Sequence, residues 1–149
     1  MRVSYPAILV AAIADFLLAA GWFSLLAKPW VADLRMSTEE IAYYKAHMTP
    51  WPYVIAFLGN LILAYGLACV ITPTGEARAH TTARGLRYGF GFGVMLATAL
   101  VTELIFERHT ATFMAIAAGY PFLGMIVMGA ILGAWKGKQS AILAKTTGV

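Results

Sequence analysis

The sequence predicts an all-α membrane protein, a bundle of four spanning helices with a short interfacial helix between the first two spans. Of the 149 residues, 60% are hydrophobic and 12% are charged, and the mean hydropathy is +0.74. This is too apolar for an ordinary soluble domain. The hydrophobic residues also fall into stretches of about 20, the length that crosses a hydrocarbon core. The loops between them are too short for a second domain, so residues 1–149 form one unit.

Three of the spans follow directly from long windows with few charges. The first covers about 6–27 and carries one formal charge, Asp15, at its middle. The second covers about 51–71 and the fourth about 112–135. Tryptophans near the span ends suit the headgroup region, so we expect interface anchors at Trp22, Trp30, Trp51 and Trp135.

The third span is predicted at about 86–106, although its uncharged stretch is short. Only the 15 residues 88–102 separate Arg87 from Glu103, which gives roughly 22 Å of helix. Either Arg87 therefore extends back to the interface or Glu103 enters the edge of the hydrocarbon.

The loop after the first span contains a helix start signal. Ser37 and Glu40 have capping-box spacing, which predicts a helix over about 38–47. Apolar residues at helical spacing suggest that it lies on the membrane surface, and a solvated connector helix is the alternative.

Lysine and arginine residues are distributed unequally between the two sides of the predicted bundle. Seven lie on the side of both termini and four on the other, which predicts cytoplasmic termini. The net charge is +4, but the basic residues are scattered at span ends. This pattern favours the lipid bilayer as partner and argues against nucleic acid.

Asp15 is the main candidate functional residue. An ionised acid at mid-bilayer costs several kcal/mol, so this side chain must be protonated, paired or hydrated. Small neighbours, Ala11, Ala12 and Ala19, allow another helix to approach. Two interpretations remain open, a proton- or cation-binding site and a purely structural hydrogen bond.

Two further polar residues complete the predicted intramembrane site. Asn60 lies at a depth similar to that of Asp15, so we expect these side chains to touch or share a water. Glu103 lies within roughly 60° of the glycine face of its helix. It either points into a protein interface or is an interfacial acid near Arg108.

Small residues recur every four positions in the last two spans, a pattern that permits close helix packing. The stripes are Gly85, Gly89, Gly93 and Ala97 in the third span and Gly129, Gly133 and Gly137 in the fourth. Two such stripes provide more close-packing surface than the interior of one small bundle requires. This suggests a homo-oligomer or a place in a larger membrane complex.

The sequence indicates no catalytic chemistry. Its three histidines have no metal-ligand spacing, and no nucleophile with a spaced base is present. We therefore expect a non-enzyme without a metal or cofactor.

Several aromatic and glycine positions resemble those of a known family. These are Gly21-Trp22-Phe23, Lys28-Pro29-Trp30, Gly119-Tyr120, and Gly129, Gly133 and Trp135. Together they resemble the uncharacterised bacterial membrane family called domain of unknown function 1761. The resemblance implies a four-helix membrane fold in the bacterial inner membrane, without an assigned activity.

Two functions are compatible with these observations. The first is a non-catalytic membrane protein that associates with itself or serves as an accessory subunit. The alternative is a small proton-coupled transporter or channel centred on Asp15.

Overall fold

The computed structural model describes residues 4–72 and 82–146, with the backbone alone for 136–146. Within these ranges the chain forms six helices and no strand, so the prediction of an all-α fold is confirmed. Four of them, the fourth as far as Trp135, are long and apolar enough to cross a membrane. The helices are α1 (Tyr5–Leu25), α2 (Ala27–Asp33), α3 (Thr38–Ala46), α4 (Trp51–Ile71), α5 (Thr82–Phe106) and α6 (Ala111–Thr146).

α1 covers nearly all of the predicted first span, and a short helix that was not predicted, α2, follows it. α1 ends at Leu25, and α2 starts at Ala27 after a non-helical Leu26. Pro29 explains the break, because it has no N–H to bond the Leu25 carbonyl in a continuous helix. In α2 it occupies the first turn, where N–H groups lack helical partners anyway.

The predicted capping box at the start of α3 is confirmed. The Ser37 hydroxyl accepts a hydrogen bond from the Glu40 N–H at 3.2 Å, and the Glu40 carboxylate accepts one from the Ser37 N–H at 2.7 Å. α3 packs against no other helix in the described ranges. Its placement on the membrane surface stays a prediction.

α5 is longer than the predicted third span. It has 25 residues, about 37 Å at 1.5 Å per residue, and starts four residues earlier than expected. The extra turn contains Arg84, whose guanidinium lies 5.5 Å from the centre of the Tyr88 ring. Charged residues therefore occupy both ends of one long helix, and the uncharged stretch between Arg87 and Glu103 is still 15 residues.

α6 is the central helix of the bundle, since α1, α2, α4 and α5 all pack against it. Its contact with α5 is built on glycine. A methyl group on Gly85 would overlap the Gly129 carbonyl oxygen, and one on Gly89 would overlap that of Met125. At Gly93 the added carbon would lie 2.8 Å from the Phe122 carbonyl oxygen. Only glycine lets the two backbones approach this closely.

The two ends of the bundle differ in packing. We call the end with the start of α1 and the end of α4 the terminal end, and the end with α2, α3 and the α5–α6 turn the loop end. Residues of the terminal end form the main core, with 0% to 5% exposure. They are Ala7, Ile8, Ala11, Ala12, Ala64, Leu67, Ala68, Ile71, Met125, Met128 and Leu132. Among the described residues this half of the bundle is therefore tightly packed, and the cavities described below lie toward the loop end.

Candidate intramembrane site

Asp15 is buried at the middle of α1, with 2% of its surface exposed. Its Oδ2 accepts a hydrogen bond of 2.8 Å from the Tyr120 hydroxyl of α6. Its Oδ1 is buried with no hydrogen-bond partner among the residues that the structure describes, and it lies against Gly124, where a β-carbon would overlap it. The carboxyl group thus keeps one oxygen unsatisfied, an unusual condition for a buried polar atom.

Asn60 of α4 approaches the same hydroxyl from the other side. Its side chain is 7% exposed and is in polar contact with Tyr120. Asp15 and Asn60, which were expected to touch or share a water, are thus linked through a tyrosine. The three side chains form a polar cluster from three helices, which we call the polar triad.

A cavity of about 710 Å³ reaches the polar triad from the loop end. It lies between the second half of α1 and the first half of α4, and Asn60 and Tyr120 belong to its wall. Ala19, Ala20 and Ala56 leave the space open, since larger side chains at these positions would fill it. Asp15 does not itself line this cavity, but it is hydrogen-bonded to Tyr120, which does.

A second cavity, of about 490 Å³, lies on the opposite side of Tyr120, between α5 and α6. Phe23 and Tyr120 line both cavities and so form the wall between them. Pro121 also lines the second cavity, and its missing N–H leaves the Ala117 carbonyl without its helical partner. Movement of the Tyr120 ring would therefore alter both spaces and its hydrogen bond to Asp15.

Aromatic rings connect the polar triad to the loop end. Tyr120 contacts Phe23 at a centroid distance of 5.6 Å, and Phe23 contacts Trp30 at 5.0 Å. Trp30 stacks on Phe113, which stacks on His109, each at 4.1 Å. This continuous column lets α2 and the start of α6 hold the wall between the cavities in position.

The column ends in a charged cluster between α2 and α6. The Asp33 carboxylate contacts His109 Nδ1 at 2.7 Å and accepts a hydrogen bond from the Thr110 N–H at 3.3 Å. His109 Nε2 lies 3.2 Å from the Glu107 carboxylate. Hydrogen bonds from the Thr110 side chain and from His109 hold the pKa of Asp33 below its usual value.

Glu103, the third residue of the predicted site, is exposed on α5. It is absent from the walls of both cavities and does not belong to the polar triad. Its acidic side chain therefore takes no part in the site, although its position lies within roughly 60° of the glycine face of α5.

The four tryptophans differ in their surroundings. Trp22 donates a hydrogen bond of 2.9 Å to the Ile116 carbonyl and packs on Gly119. Trp30 stacks within the aromatic column, and Trp135 packs against the main core. Trp51 is 67% exposed. Their anchoring at the membrane interface stays a prediction, but the first three also have packing roles inside the chain.

The glycine stripes are occupied within one chain. Gly85, Gly89 and Gly93 face α6, and Gly129 faces α5 across the same contact. Gly133 lies at this contact too, and Ala97 is half-buried, whereas Gly137 lies beyond the residues whose side chains are described. Each stripe therefore packs on the other within one chain, so the stripes do not support self-association. A homo-oligomer or larger complex stays a prediction.

Sequence analysis missed Tyr120 and Gly124 as neighbours of Asp15. Depth could have identified Tyr120, since it lies nine residues after the start of α6 and Asp15 lies ten before the end of α1. Both positions are about 14 Å from the loop end. The sequence does not show which face of α6 is turned toward Asp15, because glycine residues occur on several faces of this helix.

In the described ranges no group of three or more histidine, cysteine, aspartate or glutamate residues is arranged to hold a metal ion. The polar triad contains one carboxyl, one phenol and one amide. These groups can accept or donate protons and hydrogen bonds, and the carboxyl can balance one positive charge.

Fold and site together define a small helical membrane protein with a polar cluster buried at mid-bundle. The chain belongs to the family described as "Protein of unknown function (DUF1761)", whose model matches residues 6–133. Comparisons with curated proteins and with solved structures found no match.

Proposed function

We propose that this protein is a small proton-coupled transporter in which Asp15 binds and releases the coupling proton. The observation that carries the proposal is a buried carboxyl group, one of whose oxygens has no hydrogen-bond partner among the described residues, while the other is bonded to Tyr120 in the wall of a cavity of about 710 Å³. A purely structural acid would be expected to have both oxygens satisfied. Intramembrane acids of this kind commonly mark proton or substrate pathways.

The unequal ends of the bundle support the same proposal. Transport through a membrane protein requires a site that is open to one side at a time, closed by packing on the other. The cavity lies in the half of the bundle nearer the loop end, and an alanine-rich core is packed in the other half, which supports a site that opens toward the loop end. Tyr120 lies at the junction and bonds Asp15, so its movement would couple the protonation of the acid to the shape of the cavity.

The proposal includes an orientation. We infer a bacterial inner-membrane protein with both termini in the cytoplasm, because basic residues are more numerous on the terminal side. The cavity then opens outward. A homo-oligomer or larger complex remains part of the proposal, since a bundle of four helices encloses little volume, although the glycine stripes no longer support it.

Proton flux in proteoliposomes tests the function. The purified protein is reconstituted around a trapped pH indicator, and pH gradients and membrane potentials are imposed, with and without added cationic, neutral and anionic solutes. The wild type should move protons, and Asp15→Asn should reduce this flux at least about tenfold while retaining helix content. Glu39→Gln, an acid-to-amide change on exposed α3, is the matched control and should retain the flux.

The absence of Asp15-dependent proton flux under all these conditions would contradict the proposal. The accessory-subunit hypothesis would then be the remaining one, and co-purification in gentle detergent would test it.

A further inference from the structure

We infer that the cavity between α1 and α4 binds an organic cation with an apolar body, and that this cation is the solute exchanged for the proton on Asp15. The inference rests on the proposed transport function and adds the chemical class of the substrate. It follows from three properties of the cavity: its charge, its aromatic walls and its size.

The charge of the site favours a cation. No lysine, arginine or histidine lines the cavity. Between Arg2 and Lys28, and again between Lys45 and Glu76, the sequence contains no formal charge except Asp15. An anion would therefore enter an apolar space in which no positive group balances it, with an acid bonded to the Tyr120 wall. A cation would be attracted by that acid across the tyrosine, and the attraction is strong where the effective dielectric constant is low.

The walls favour an apolar body around that charge. Four aromatic rings line the cavity, from Phe16, Phe23, Tyr53 and Tyr120. The faces of such rings attract quaternary and protonated amines through cation–π interactions. The remaining polar groups are few, mainly the Asn60 amide and the Ser24 hydroxyl. A strongly hydrated ion such as Na⁺ would find too few oxygen ligands here.

The volume of about 710 Å³ lies within the usual range of small-molecule pockets. It exceeds the needs of an inorganic ion and accommodates one or two ring systems. The occupant is thus a compact organic molecule rather than a bare ion.

Proton exchange follows from the burial of Asp15. Before the cation binds, the carboxyl group is neutral, because an unpaired charge buried at this depth is costly. When the cation binds, the carboxyl O–H bond breaks, the proton leaves to water, and the carboxylate balances the positive charge of the ligand. One proton is released for each cation bound, so atoms and charge are conserved.

Three probes of nearly equal shape test the charge preference. They are 1-methyl-4-phenylpyridinium, a permanent cation, 4-phenylpyridine, neutral at mildly alkaline pH, and 4-phenylbenzoate, an anion. Binding to the full chain in mild detergent is measured by calorimetry in two buffers of different ionisation enthalpy, which also reports proton release. The cation should bind at least about tenfold more tightly than the neutral probe, and release about one proton.

Two variants separate the roles of charge and ring. Asp15→Asn is nearly isosteric and should weaken cation binding at least about tenfold and abolish proton release. Tyr53→Leu changes a half-exposed ring on the cavity rim and should weaken cation binding about three- to tenfold, with little effect on the neutral probe. Tyr44→Leu, on exposed α3 outside the cavity, is the matched control and should bind like the wild type.

Each other result counts against the inference. Equal or tighter binding of the neutral or anionic probe, no binding of the cation, or equal cation binding by Asp15→Asn would overturn it. The proposed function fails separately: if neutral or anionic solutes drive Asp15-dependent proton flux in vesicles, transport stands and the cation is wrong. If the cation binds through Asp15 without any proton flux, the binding site stands and transport is wrong.

Discussion

Tyr120 holds Asp15 in place, since within the described part of the chain it is the hydrogen-bond partner of this carboxyl group. Tyr120→Phe would leave both carboxyl oxygens buried and unsatisfied. We expect a loss of about 1–3 kcal/mol in the free energy of unfolding, visible as a lower melting temperature in detergent. Tyr44→Phe, which removes a hydroxyl from an exposed ring, should have no effect. An unchanged melting temperature for Tyr120→Phe would show that this bond does not hold the acid.

Asp33 gives the loop end a dependence on pH. Its pKa is lower in the folded protein than in the unfolded chain, because the Thr110 and His109 hydrogen bonds favour the carboxylate. The stabilisation is complete above the unfolded pKa of aspartate, about 3.9, and is lost as the pH falls through the lower folded value.

Melting temperatures recorded over a falling pH series check this effect. The wild type should lose stability in the acid range, and Asp33→Asn should start less stable at neutral pH and lose less on acidification. Parallel curves for the two proteins would contradict the role of Asp33.

At the scale of elements, the contact between α5 and α6 depends on backbone proximity. Gly89→Ala would drive a methyl group into the Met125 carbonyl, and separating the helices should cost about 1–3 kcal/mol or more. Gly91 lies two residues away on the same helix with open space beside it, so Gly91→Ala is the matched control and should be neutral. Thermal unfolding in detergent measures both variants.

The same contact also predicts the effect of bulky replacements. Replacing Gly89 and Gly93 with leucine should prevent folding of the single chain, rather than only disperse an assembly of folded copies. A folded monomer from this variant, after an oligomeric wild type, would instead return the glycines to an interface between copies.

The helices were largely predictable from the sequence, and the site only in part. Hydrophobic length located the four spans, because a bilayer imposes nearly the same requirement on each. The short helix α2 was not predicted, since the sequence analysis placed no helix between the end of the first span at about residue 27 and the start of the interfacial helix at about residue 38. Asp15 and Asn60 stood out as polar residues in apolar helices. Their link through Tyr120 depends on how α6 rotates against α1, which composition does not encode.

At the scale of the whole molecule, the cavity should be accessible from one side only. In a Cys69→Ser background, Ser24→Cys places a thiol in the cavity wall, and Ala12→Cys places one in the closed core. A membrane-impermeant thiol reagent added outside intact cells should label the first and not the second. Labelling of Ala12→Cys, or labelling of Ser24→Cys only from the cytoplasmic side, would contradict the proposed orientation and closure.

The most direct test of the central proposal is infrared difference spectroscopy of the reconstituted protein between acidic and alkaline pH. The carbonyl band of a protonated carboxylic acid in an apolar environment is distinct from that of a carboxylate. We predict that such a band is lost on alkalinisation or on binding of 1-methyl-4-phenylpyridinium, and that Asp15→Asn abolishes it. A band that persists in Asp15→Asn, or a wild-type spectrum without one, would contradict a proton bound and released at Asp15.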